Sequence, residues 1–319
     1  NYPKQFMNIK EGRSLLQETV VRNMPFCDEF IIVTKESYRN IVNGQMKAFQ
    51  SLKYRVVLEG SPKGTAAAIM LGSQFCNQSE LVFVVTADNL IEGQEYKDAI
   101  IRAKELAKQG SIVALGVKPA KKNSNFGYLL RDEENVLKFI EKIRLDDDES
   151  FGYDDGFLWN SGMFLYRAGD LINAARAICP ELYDTCRMAK RKIAAIRRTV
   201  RFSQKVMKDI PQGSIERLIF EKLKDMKVVE TAFRWKDVGN VCDLDENSSV
   251  SHSENVLKNH CEDVMVINSA DRQLVVTNDI QDVVVVNTED AVYVSSKERV
   301  DDIKNIISEN KEKYENYFD

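Results

Sequence analysis

Leu81-Val82-Phe83-Val84-Val85-Thr86-Ala87-Asp88-Asn89 joins six residues of strand-forming character to a small residue and an acid. An unbroken apolar run of this kind reads as a strand buried on both faces, as inside a parallel sheet. Such sheets bind ligands beyond the carboxyl ends of their strands, so chemistry is expected just after Thr86. Upstream, Phe30 to Thr34 and Tyr54 to Leu58 are two more β-rich runs. Thr65 to Cys76 reads as a helix with Ala66, Ile69, Met70 and Phe75 on its apolar side. Downstream, Glu95 to Lys108 is an amphipathic helix and Ser111 to Val117 returns as a strand. This alternation predicts an α/β fold, a Rossmann-like and mostly parallel sheet with helices on both faces.

From Phe126 the pattern changes. Phe126 to Leu130, Val136 to Glu141 and Phe157 to Tyr166 are β-rich, and the acidic run Asp146-Asp147-Asp148-Glu149 between the last two reads as a solvated loop. Ala168 to Arg198 reads as helical, with Lys190-Arg191-Lys192 and Arg197-Arg198 on an exposed face. Turn and linker residues, Asp245-Glu246-Asn247-Ser248-Ser249 and Ser251-His252-Ser253, then separate a domain over 1–245 from a smaller one over 255–319. In the second, Val264–Ile267, Gln273–Thr277, Asp282–Val286 and Ala291–Val294 start about nine residues apart, the spacing of a small β-helix-like unit. Residues 297–318 follow as an amphipathic helix with Val300, Ile303, Ile307, Tyr314 and Phe318 toward one side.

The 319 residues carry a net charge of -4, with 44% hydrophobic and 29% charged residues. That balance gives no general basic field for a nucleic-acid backbone. No apolar run approaches the ~20 residues of a membrane span, so no membrane partner is expected. The six cysteines include no C-x-x-C pair, and there are only two histidines, which argues against structural zinc. Scattered thiols of this kind read as reduced and cytoplasmic.

Several short stretches resemble the sugar-1-phosphate nucleotidyltransferases, in particular the bacterial mannose-1-phosphate guanylyltransferases. Pro3-Lys4-Gln5-Phe6 is similar to the element closing the family's glycine-rich loop, and Ser14 to Arg22 to the helix after it. Glu59-Gly60-Ser61-Pro62-Lys63-Gly64-Thr65-Ala66 resembles the base-recognition segment E-P-x-x-[RK]-N-T-A. Thr86-Ala87-Asp88-Asn89 resembles P-A-D-H, Phe126-Gly127-Tyr128 resembles G-Y-G-Y, and Phe139-Ile140-Glu141-Lys142 resembles F-x-E-K-P. Leu158 to Phe164 contains W-N-S-G-M-F, and Trp235-Lys236-Asp237-Val238-Gly239 is W-x-D-V-G. The β-rich tail and terminal helix are similar to the family's carboxyl-terminal unit.

The resemblance implies nucleotidyl transfer: a sugar 1-phosphate attacks the α-phosphorus of a nucleoside triphosphate, and pyrophosphate leaves. A phosphate monoester has a second pKa of about 6, so no general base is required. Asp88 and Asp237, about 150 residues apart, are implied to hold Mg²⁺, for which carboxylate oxygens are suitable ligands. Lys4 is implied to face the triphosphate and Lys142 the sugar phosphate. Gly127, Glu141 and Asn160 are implied for the sugar, and Glu59, Lys63 and Thr65 for the base, with Glu59 accepting from guanine. The expected substrates are GTP and mannose 1-phosphate, and the product GDP-mannose. The alternatives are the same chemistry on another hexose or heptose phosphate, or a non-catalytic nucleotide-sugar-binding regulatory subunit. The apolar faces of the tail are expected to support a homo-oligomer.

The chain departs from the family at its front, where the first strand and the phosphate-cradling loop are missing before Asn1. A segment of roughly 20 residues is therefore expected ahead of it in the native protein. Gly60, Gly64, Asn89 and Ile143 replace the family's proline, asparagine, histidine and proline. In Ser214-Ile215-Glu216, glutamate stands where the family commonly has aspartate. Larger members add a metal-dependent isomerase domain, for which this stretch has neither the length nor the histidines.

Overall fold

The computed structural model describes residues 3–10, 12–119, 126–140, 156–196, 198–238, 255–268, 270, 272–289, 291–310 and 313. Its elements run β1 (Asn8–Lys10), β2 (Arg13–Ser14), α1 (Leu15–Asn23), β3 (Phe30–Lys35), α2 (Arg39–Met46), β4 (Tyr54–Glu59), α3 (Thr65–Ser73) and β5 (Leu81–Val84). Then come β6 (Asn89–Glu92), α4 (Glu95–Lys108), β7 (Val113–Val117), β8 (Tyr128–Asp132), β9 (Asn135–Ile140), β10 (Phe157–Arg167), α5 (Ala168–Ile178) and α6 (Pro180–Lys190). The chain continues through β11 (Ala194–Ile196), β12 (Thr199–Phe202), α7 (Gln204–Met207), α8 (Ile215–Leu218), β13 (Lys227–Thr231) and β14 (Arg234–Asp237). It closes with β15 (Val256–Asn259), β16 (Met265–Asn268), β17 (Val275–Asn278), β18 (Val283–Asn287), β19 (Val292–Ser296) and α9 (Ile303–Asn310).

The chain divides into two compact units. One gathers Asn1–Asn23, Ala87–Leu90 and Lys236–Asp319; the other holds Met24–Thr86 and Ile91–Trp235. The linker expected between 245 and 255 lies outside the described residues, as does the acidic loop at 146–149.

The larger unit is α/β, as the strand-helix rhythm requires. In its four-stranded sheet, β3, β4 and β12 run parallel, and β11 is antiparallel to β12. The six-stranded sheet, ordered β5-β10-β7-β13-β9-β8, is mixed: β13 is parallel to β7, and the long strand β10 is antiparallel to β5, β7 and β8. Its strands alternate between two cores. Ala114, Leu158, Phe164, Tyr166 and Val228 face the side covered by Met70 and Leu71 of α3, Leu171 of α5 and Leu182 of α6. Val113, Leu115, Met163, Leu165 and Val229 face Ile100, Ala103 and Leu106 of α4. With both faces covered, the strands read as continuous apolar runs. Ile31 and Val33 of β3 and Val82 and Val84 of β5 all pack on the first core, although the two strands belong to different sheets.

Helix α4 spans the expected residues. Glu95 and Asp98 in its first turn and Lys108 in its last complement the helix dipole. Gly110, at φ +101°, follows its end, and its N–H donates to the Ala107 carbonyl. The single helix expected over 168–198 is instead two, because Pro180 cannot continue α5 and starts α6 as its first residue. The segment beyond α6 turns into the hairpin β11-β12.

In the smaller unit, the expected β-helix-like tail takes the form of small sheets. β15 pairs in parallel with β17, and β16 with β18, whose other edge takes β19 antiparallel. Each parallel pair joins residues nineteen apart, Val256 with Val275 and Met265 with Val284. Asn259 donates to Asn278 at 2.5 Å and Asn287 to Asn268 at 2.9 Å, again nineteen apart. His260 and Asp279, and Asp263 and Asp282, repeat a positive φ at the same interval. Val300 closes the small core formed by Met265, Ile267 and Val284. Helix α9 covers only part of the expected 297–318; Tyr314 and Phe318 lie outside the described residues.

Candidate active site

The smaller unit brings together Lys4, Asp88 and the segment containing Asp237. Lys4 opens a single 3-10 turn, Lys4–Phe6, preceded by Pro3 at φ -68°. Its ammonium lies 3.1 Å from Asp88 Oδ2 and also donates to the Val238 carbonyl. The Val238 N–H donates to the Asp88 carbonyl at 3.0 Å. Asp237 is therefore the immediate neighbour of the residue bonded to Asp88, although the two acids are distant in sequence. Both side chains are partly exposed. Two hard oxygen donors suit Mg²⁺, which commonly takes one or two carboxylates and completes its shell with phosphates and water.

The larger unit carries the base and sugar candidates. Glu59 ends β4, is 6% exposed, and its Oε1 is sealed from solvent with no hydrogen-bond partner. Burial alone pushes its pKa up to about 7. The segment after it is clasped by the stretch before α8. Gly213 N–H donates to the Lys63 carbonyl at 2.9 Å, Ala66 N–H to the Gly213 carbonyl at 3.2 Å, and Ile215 N–H to Thr65 Oγ1 at 2.9 Å. This clasp accounts for Gly64, and the close approach of the Phe202–Gln204 backbone for Gly60, the two glycines that depart from the family pattern. A Cβ on Gly60 would meet the Gln204 nitrogen at 2.5 Å; one on Gly64, at φ +95°, would collide with the Gly213 carbonyl.

Asn160 sits where β10 is irregular: its register against β7 shifts between Asn160 and Phe164. Gly162 adopts φ +72° there, and Ser161 Oγ donates to the Leu115 carbonyl at 2.6 Å. The bulge re-aims the Asn160 side chain. Its Oδ1 accepts from Gly162 N–H at 3.0 Å, and its backbone N–H donates to the Gly127 carbonyl at 2.8 Å. Gly127 and Asn160 are thus direct neighbours. Trp159 and Trp235 pack about Phe126, with ring centroids 5.1 and 5.0 Å from it, and serve as packing residues. Glu141 and Lys142 lie outside the described residues.

One residue had no role assigned from the sequence. Glu216, at the start of α8, accepts from Asn160 Nδ2 at 3.3 Å through Oε1 and from Thr65 Oγ1 at 3.4 Å through Oε2. Its departure from the family's aspartate was the available signal.

The chain belongs to the nucleotidyl transferase family, whose sequence pattern matches residues 1–254. It is 29% identical, over 81% of its length, to a mannose-1-phosphate guanylyltransferase of Salmonella typhimurium, and spans 56% of that protein. Among solved structures it resembles one described as a mannose-6-phosphate isomerase from Helicobacter pylori, with a TM-score of 0.71 and 31% identity, covering 74% of this chain and 95% of that one. A protein described as a mannose-1-phosphate geranyltransferase from Thermus thermophilus shares the fold over 96% of this chain and 92% of its own, with a TM-score of 0.74 and 23% identity. Among the described residues no helix is long and apolar enough to cross a membrane.

Proposed function

We propose that the protein transfers GMP from GTP to mannose 1-phosphate, giving GDP-mannose and pyrophosphate. The observation that carries this reading is the Lys4–Asp88 pair, with Asp237 beside the backbone partner of Asp88. Family membership and the names of the Salmonella relatives support the same chemistry. The difficulty of the reaction is bringing two anions into line, since the phosphate oxygen is already a nucleophile at neutral pH. Lys4 supplies a fixed positive charge toward the triphosphate. Asp88 and Asp237 would hold Mg²⁺, which when bound neutralises phosphate charge. Glu59, Lys63 and Thr65 serve the base; a carboxylate can accept from guanine N1–H and its exocyclic amine, a pair adenine does not present. Gly127, Glu141 and Asn160 serve the sugar, and Lys142 its phosphate. We also infer that the nineteen-residue register of the tail makes it a short β-helix, with a subunit contact on its exposed apolar face.

The test is turnover by the full-length protein with Mg²⁺ and mannose 1-phosphate. GTP should give pyrophosphate and GDP-mannose at a rate at least roughly tenfold above ATP, UTP or CTP. Mannose 6-phosphate is included as a second substrate, because the Helicobacter pylori relative is described as its isomerase. Conversion of mannose 6-phosphate without pyrophosphate release from any triphosphate would replace the present reading.

A further inference from the structure

Glu216 connects two segments that the proposed reaction uses for different substrates. Its half-buried carboxylate reaches Asn160 Nδ2 at 3.3 Å with one oxygen and Thr65 Oγ1 at 3.4 Å with the other. The surrounding bonds fix both donors. Asn160 Oδ1 is committed to Gly162 N–H, so the Asn160 amino group must point toward Glu216. Thr65 Oγ1 accepts from Ile215 N–H, which leaves the hydroxyl proton for the carboxylate. The acid itself is held in place: Ser214 caps α8 by accepting from Arg217 N–H, and Gly213 is tied to the Lys63 carbonyl. Thr65 and Asn160 lie 95 positions apart, yet a single side chain accepts a hydrogen bond from each.

We infer that Glu216 is a positioning residue, orienting the Asn160 carboxamide and the Thr65 hydroxyl together so that the sugar and base subsites are organised by one carboxyl group. This rests on the function proposed above. Reach is the operative property, more than charge. A glutamine at this position keeps the span: its oxygen accepts from Asn160, and its amino group donates to Thr65 Oγ1, which reverses that bond without breaking it. An aspartate, shorter by one methylene, reaches one partner and loses the other. A charge role predicts the reverse order, with Asp retained and Gln lost.

The experiment compares Glu216→Gln, Glu216→Asp and Glu216→Ala by steady-state kinetics and by the Asn160 side-chain amide signal in NMR. For Glu216→Ala, KM for both GTP and mannose 1-phosphate should rise roughly tenfold while kcat changes less than about threefold, the signature of lost uniform binding. Glu216→Gln should stay within about threefold of wild type, and Glu216→Asp should fall between them. Combining Glu216→Ala with Asn160→Ala should add little to either alone, because the two share one interaction. The NMR signal needs no substrate: it should persist in the Gln variant and exchange with water in the Ala variant. If Glu216→Ala loses its fold on thermal unfolding, the Gln and Asp pair carries the comparison. Wild type inactive on GTP and mannose 1-phosphate would overturn the function, leaving the NMR arm to judge Glu216. Active wild type with an Asn160 signal indifferent to all three substitutions, or a Gln variant as impaired as Ala, would overturn the positioning role.

Discussion

The Lys4 ammonium lies 3.1 Å from Asp88 Oδ2, and its other acceptor is the carbonyl of Val238, whose own N–H is donated to the Asp88 carbonyl. Lysine, aspartate and the strand end carrying Asp237 thus form a closed circuit in which each member fixes the next. Replacing Asp88 by Asn leaves the backbone bond intact and removes the charge. Pyrophosphate release should fall by roughly 10²–10³, the usual cost of losing one preorganised electrostatic group. The thermal midpoint should move by only a few degrees. A variant that unfolds instead would mark Asp88 as structural.

Lys4→Met tests the other side of the same pair. It keeps an unbranched side chain of similar length and removes the point charge. The expected outcome is a fall in kcat/KM for the triphosphate of at least roughly tenfold, with a weakened dependence on ionic strength. Unchanged nucleotide kinetics would confine Lys4 to holding Asp88 in place.

Glu59 gives a pH signature. Its carboxyl, pushed from 4.5 to about 7 by burial, binds its proton more tightly folded than unfolded. Stability should therefore decline as pH rises from 4.5 to about 7 and level off above that. Glu59→Gln removes the titration. It should be more stable than wild type at pH 8 by as much as about 3 kcal/mol, with the gap closing near pH 4.5. Urea unfolding at several pH values measures this. If guanine donates to this carboxylate, GTP binding near neutral pH should also release a proton, seen as a buffer-dependent calorimetric heat that Glu59→Gln abolishes.

Gly64 lies at φ +95° with the Gly213 carbonyl against it. Gly64→Ala should cost about 1–3 kcal/mol from backbone strain, with a further loss as the clasp opens. Because Thr65 follows directly, KM for the nucleotide should rise as well. Denaturant midpoints and nucleotide kinetics on one preparation check both.

The tail carries exposed apolar residues on neighbouring strands: Leu257 and its register partner Val276, 57% and 59% exposed, and Leu274 nearby. Leu257→Ser with Val276→Ser should shift a homo-oligomer toward monomer in sedimentation velocity, with turnover per chain as the control. A mass independent of these substitutions would place any subunit contact elsewhere.

Much of the larger unit was legible because its signals are local. The amphipathic pattern of α4 reports burial directly, whereas Leu81–Val84, read as a strand buried on both faces inside a parallel sheet, is half-buried and ends its sheet among the described residues, paired antiparallel with β10. The helix break at Cys179-Pro180 was also written in the sequence, but the apolar pattern continuing across it masked the proline. The antiparallel course of β10 was not legible, since a strand buried on both faces reads the same in either direction. Nor were the pairings of the tail: the even spacing of its β runs did not say that β15 would pair with β17 and β16 with β18, while β18 and β19 pair as successive strands. In the candidate site, the strand-end rule pointed to the residues after Thr86 and so to Asp88, but Lys4 could be named only by resemblance, since nothing local predicts a bond across more than eighty residues. Glu216 escaped for a related reason. Its partners lie on a helix start and on a bulge, and bulges leave little periodic trace.

The tail has its own rule for change. Its asparagine ladders and left-handed corners recur every nineteen residues, so any insertion or deletion that is not a whole repeat would slide every later asparagine off its mate. Natural variation in the length of this tail should therefore be quantised, coming in whole nineteen-residue steps, while the loops of the larger unit remain free to drift by single residues.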